Sequence, residues 1–99
     1  MPFFIGFDAS KVQKQFTKLP KNIQARVYAL FTELEAIGPE LPGWRNFGKL
    51  KKKKSGRMVF HAHLNSGKPR YVAIWELIGE SKIEILYLGT HENANYTRI

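Results

Sequence analysis

Apolar and polar positions along the chain change their period three times. Phe3 to Phe7 is a short apolar stretch that reads as a strand. It gives way to "DASKVQKQFTKLP", where Val12, Phe16 and Leu19 recur at helical spacing and Ser10, with Gln13 three residues on, fits a capping box. Pro20 ends that helix and suits the first position of the next. In the second helix Ile23, Val27, Phe31, Leu34 and Ile37 form an apolar stripe, with Lys21, Gln24, Glu33 and Glu35 off it, until Gly38 and Pro39 stop the run. Two helices joined so tightly predict an antiparallel hairpin, and neither buries its stripe alone.

From Glu40 to Gly56 there is no period. Pro42, Gly43 and Gly48 punctuate the stretch, and Trp44 and Phe47 are expected to pin it to the core. The period then becomes two: in "RMVFHAHL", Met58, Phe60, Ala62 and Leu64 alternate with Arg57, Val59, His61 and His63. "NSGKP" supplies a turn, "RYVAIWELI" is the near-continuous apolar run of a central strand, and "GES" turns the chain into "KIEILYLG". Three sequential strands with short turns predict an antiparallel meander. The expected fold class is α+β: an N-terminal strand and two-helix hairpin packed on a small antiparallel sheet, as a single domain over residues 1–99.

Composition narrows the function classes. Ninety-nine residues allow one hydrophobic core, and 43% hydrophobic content suits a globular chain. There is no cysteine, so disulfides and thiolate metal sites are excluded. "MPFFIGF" lacks the basic start of a signal peptide and no apolar run reaches membrane-spanning length, so a cytoplasmic protein without a membrane segment is expected. The net charge is +8, and its distribution says more than its size. Between Glu40 and Glu76 there is no acid, while Arg45, Lys49, Lys51, Lys52, Lys53, Lys54, Arg57, Lys68 and Arg70 fall in that span. Such polarity favours a nucleic-acid partner through counterion release and steering.

The leading strand, the helix pair with "LPKNIQARV", the basic "GKLKKK" connection, and "HAHLNSGKPRYVAIWEL" followed by "YLGTHENANY" together resemble the RelE/ParE toxin superfamily. The likeness covers roughly residues 8–96, and its second half is similar to RelE-like toxins of type II toxin–antitoxin systems. The resemblance implies a ribosome-dependent mRNA endonuclease, or alternatively a ParE-type inhibitor of DNA gyrase. A non-catalytic RNA-binding relative is a third reading. It also implies a cognate antitoxin protein as partner, mRNA on the ribosome as substrate, and no metal or organic cofactor.

Metal-free RNA cleavage needs a base for the 2′-OH, cations for the phosphorane and an acid for the departing 5′-oxygen. The lysine run offers phosphate neutralisation, and a lysine crowded by cations has its pKa pushed down, which makes Lys52 and Lys54 candidates for catalysis. Lys49, Lys51 and Lys53 are candidates for the RNA backbone, together with Arg45 and Lys68. An extended chain aims one alternate set at RNA, and the sequence does not decide which. Arg57 and Arg70 open neighbouring strands and suit a scissile phosphate; a strand arginine paired with Glu76 or Glu92 is the plainer reading. His61 and His63 share one side of a strand, where they serve RNA binding, stacking or proton transfer. An H-x-H pair with His91 also resembles a zinc or iron site, but the field around it is strongly positive. In the resembled toxins the C-terminal segment delivers a catalytic histidine or tyrosine, which places His91 and Tyr96 in the site and Glu92 beside them. Trp75 and Tyr71, with Tyr87 joining from the next strand, are read as core.

Overall fold

The computed structural model describes residues 3–50 and 56–94. In order, its elements are β1 (Phe4–Phe7), α1 (Ser10–Thr17), α2 (Lys21–Ile37), β2 (Gly48–Lys49), β3 (Met58–His63), β4 (Tyr71–Ile78) and β5 (Lys82–Thr90). Two helices and one five-stranded sheet make an α+β fold, with sheet order β1-β5-β4-β3-β2. The meander β3-β4-β5 is antiparallel as expected, and the apolar β4 is its centre. β1 departs from the expectation. It lies parallel to β5, Phe4 opposite Lys82 and Phe7 opposite Ile85, so the sheet is mixed rather than antiparallel. A strand with no hairpin turn beside it carries no sequence signal for its partner or direction.

One face of the sheet carries both helices. Val12 and Leu19, then Ile23, Val27, Leu30 and Leu34 of α2, pack on Phe60, Ala62, Ala73, Trp75, Ile83, Ile85 and Leu88. The α2 stripe is therefore rotated from the expected one. Leu30 is fully buried, Phe31 is half-buried against Phe7 with ring centroids 6.0 Å apart, and Ile37 is 63% exposed in the last turn before Gly38. The helix starts also differ. Ala9, extended at φ −150°, holds the N-cap position of α1, so Ser10 lies inside the helix and no side chain caps it. Pro20 caps α2 instead of opening it. The corner is closed by Gln24, whose Nε2 donates to the Phe16 and Leu19 carbonyls at 3.1 and 3.2 Å and so ties the end of α1 to α2.

The aperiodic stretch is pinned as its aromatics predict. Trp44 is buried under the Arg26 guanidinium, 4.5 Å from the ring centroid, and Phe47 stacks on Phe60 at 5.8 Å. Its end forms β2, a two-residue edge strand that the sequence shows as loop. Among the described residues no helix is long and apolar enough to cross a membrane.

Among the described residues the other face carries no helix, although Val59, Val72 and Ile74 on it are fully buried. Alternation puts Val59, His61 and His63 of β3 there, opposite Glu76, Ile74 and Val72 of β4. On β5 the alternation is broken once. Trp75 pairs with Ile85 but Ile74 pairs with Tyr87, so Leu86 is an extra residue, a β-bulge. The bulge inverts the parity of everything after it: Leu88 returns to the core, while Tyr87 and Gly89 move to the uncovered face. Tyr87 thus does not join Trp75 and Tyr71.

Candidate active site

The bulge has a consequence for His91. The ladder continues past Thr90, because the His91 N–H donates to the Arg70 carbonyl at 2.8 Å. With inverted parity, His91 emerges on the uncovered face beside His63, their ring centroids 5.4 Å apart at 67°. Between them in the register sits Val72, fully buried, an apolar floor. Unbulged, the strand would send His91 to the helix side.

Two loops complete the surroundings. The His63 N–H donates to the Arg45 carbonyl at 2.8 Å, which ties the 44–47 turn to the end of β3. Asn65 braces the turn into β4: its Oδ1 accepts the Tyr71 N–H at 2.9 Å and its Nδ2 donates to the Pro69 carbonyl at 3.2 Å. That brace fixes Arg70 next to His63. The result is a polar pocket of about 210 Å³ lined by Arg45, Asn46, His63, Asn65, Ser66 and Arg70. Asn65 was not among the expected site residues; an asparagine opening a turn between two strands is its signal. Among the described residues neither Arg45 nor Arg70 has a carboxylate partner.

Both strand histidines are held below the ordinary imidazole pKa. For His63 the main cause is loss of solvation, followed by the positive charge of His91, Arg70, His61 and Arg45. For His61 it is again loss of solvation and then His91. His61 lies over the edge strand, where a Cβ added to Gly48 would come within 3.0 Å of its Nε2. Glycine at 48 thus gives the ring its place. A similar fit holds Tyr87, whose hydroxyl donates to the Thr90 carbonyl at 2.8 Å and crosses Gly89, where a Cβ would meet it at 2.6 Å.

The other expected residues divide. Arg57 faces Glu76, donating through Nε and Nη2 at 2.9 and 2.8 Å, and that carboxylate raises its pKa further. His63 lies six positions along the chain from Arg57, about 20 Å at the usual strand rise, so one phosphate cannot touch both. Lys49 is exposed on β2 opposite Phe60, and Lys68 is exposed in the turn before Arg70. Glu92 is exposed just past His91. Lys51, Lys52, Lys53, Lys54 and Tyr96 lie outside the described residues. Among the described residues no group of three or more His, Asp or Glu is placed to hold a metal ion.

No family model, no curated protein and no solved structure matches the chain.

Proposed function

We propose that the chain is the toxin of a type II toxin–antitoxin system, acting as a metal-free endoribonuclease on ribosome-bound mRNA in the RelE manner. The observation that carries this reading is the meeting of His63 and His91 beside Arg45 and Arg70, which have no carboxylate partner among the described residues. Neutral His63 takes the proton from a ribose 2′-OH, helped by the lowered pKa that keeps its nitrogen free at neutral pH. The 2′-oxygen bonds to phosphorus, and Arg70 and Arg45 offset the charge of the phosphorane. The bond from phosphorus to the 5′-oxygen then breaks, with His91 donating a proton to that oxygen. The products are a 2′,3′-cyclic phosphate and a 5′-OH, and the imidazoles exchange the proton back through water. Each proton-transfer group is worth roughly 10²–10⁴-fold in rate.

An antitoxin with an acidic segment suits the same basic end electrostatically. Mapping RNA ends in a cell-free translation mixture tests the reading. Purified protein is expected to generate new 5′-OH ends and cyclic phosphates in translated messages. Arrest of protein synthesis with every message intact removes the nuclease, and stalled DNA supercoiling with intact messages assigns the gyrase-inhibitor role instead.

A further inference from the structure

A groove runs along the other side of the strand end that carries His91. β1 stops beside β5 at Asp8, whose N–H donates to the Ile85 carbonyl, so among the described residues no strand pairs with residues 86–90 of β5 on that side. α1 packs on β5 through Val12. Its Gln15 reaches the open edge, the Oε1 accepting the Leu88 N–H at 3.0 Å. The space left is about 460 Å³, and its walls include Leu19, Tyr71, Leu88 and Thr90, with Lys18 and Asn93 at the rim.

Three features describe what would fit. First, the walls pair aliphatic and aromatic surface with amide groups. The Gln15 bridge fixes its amide, and among the described residues neither the Gln15 Nε2 nor the Asn93 side chain makes a hydrogen bond. Thr90 Oγ1 in the wall is buried with no hydrogen-bond partner, an orphan that asks for an explanation. Second, the rim is basic. Lys11, Lys14 and Lys18 recur at helical spacing on one exposed flank of α1, and no acid occurs between Asp8 and Glu33. Third, the groove joins the candidate site. Arg70, just before β4, and Tyr71, its first residue, point to opposite sides, and the 91–93 turn has His91 at one end and Asn93 at the other. A strand of RNA bending round this turn meets the histidines on one side and the groove on the other.

We infer that this groove holds the base of a nucleotide adjacent to the cleaved one, a base subsite that rests on the RNA-cleaving reading above. Lys18 meets the flanking phosphate, the base lies along Tyr71 at the mouth of the groove, over Leu19 and Leu88, and the amides of Gln15 and Asn93 meet its edge. An acidic peptide would be drawn to the same lysines, but it has no flat ring to fill the space beside Tyr71.

Nuclear magnetic resonance on the full ¹⁵N-labelled chain separates these possibilities. The probe is a 2′-O-methyl hexaribonucleotide, which has no attacking hydroxyl. Two controls carry a similar charge: an abasic hexamer of the same backbone, and a hexaglutamate peptide. The inference expects the side-chain amides of Gln15 and Asn93 and the backbone amides of Leu88 and Thr90 to shift with those of His63 and His91. The abasic hexamer should bind about tenfold or more weakly, as loss of base stacking implies, and leave the groove unmoved, as should hexaglutamate. Lys18→Ala should weaken the intact hexamer while its own spectrum shows the fold unchanged. Shifts at the histidines with a silent groove overturn the subsite and leave the nuclease reading standing. Groove shifts of equal size with the abasic hexamer or the peptide also overturn it. Silence at both places overturns the subsite, and the RNA reading falls with it when the same protein also leaves translated messages intact.

Discussion

The two ends of the uncovered sheet face start from similar residues and arrive at opposite chemistry. At one end Arg57 is gripped by Glu76, a partly buried pair whose charges cancel. At the other end Arg45 and Arg70 stand beside His63 and His91 with no carboxylate among the described residues. Both arginines of the meander were candidates in the sequence, each opening a strand, with Arg70 slightly ahead of Arg57. What separates them is the residue across the ladder: Glu76 lies opposite Val59, within reach of Arg57, whereas the neighbours of Arg70 are histidine, asparagine and valine. A cation neutralised at close range has little field left for a phosphate. Charge density along a chain therefore locates an interface only after local partners are known.

The largest break in this comparison comes from the bulge. Deleting Leu86 restores simple alternation and sends His91 to the helix side, so cleavage of translated mRNA should fall by 10³-fold or more, to the level lost with a catalytic proton donor. Because the deletion also disturbs Tyr87 and Leu88, circular dichroism should accompany the assay, and the expected loss must appear in the fraction that remains folded. Next in size is the contrast between the arginines. Arg70→Ala should lower single-turnover cleavage roughly 10²-fold, as loss of a preorganised charge-stabilising donor does, while Arg57→Ala should change it less than about threefold once corrected for folded protein. Equal losses would erase the distinction between the two ends.

Smaller effects sharpen the other end. Glu76→Gln removes the carboxylate from a pair that is neither fully exposed nor fully buried, and urea unfolding should show a loss of about 1–3 kcal/mol. Smallest is the pH response of stability. His61 and His63 have folded-state pKa values below the ordinary one, so the unfolded chain binds more protons in the acidic range. Their contribution is complete above about pH 6.5 and is lost as pH falls from there toward the lowered values. Denaturation midpoints should thus decline below pH 6.5, and the decline should shrink in His61→Asn.

Much of this fold was legible in the chain. The helices, the meander and the pinning roles of Trp44 and Phe47 follow from period and punctuation, because those are local signals. The parallel seat of β1 was not, since nothing within four residues encodes a partner 78 positions away. The bulge left a trace: the apolar core positions on β5 run 83, 85 and then 88, a step of three where a regular strand takes two. Reading that step would have moved Tyr87 out of the core and brought His91 to His63. Glu76 was nameable as a partner for Arg57, but only the register decided which arginine it takes.

The most direct test of the account is a double-mutant cycle on single-turnover mRNA cleavage, using His63→Gln, His91→Gln and the two together. If the rings work as one acid–base pair, each single change costs at least 10²-fold and the double change costs little more than either alone. Cleavage at the unaltered rate in the double variant, or losses that simply multiply, would contradict a joint site built by these two histidines.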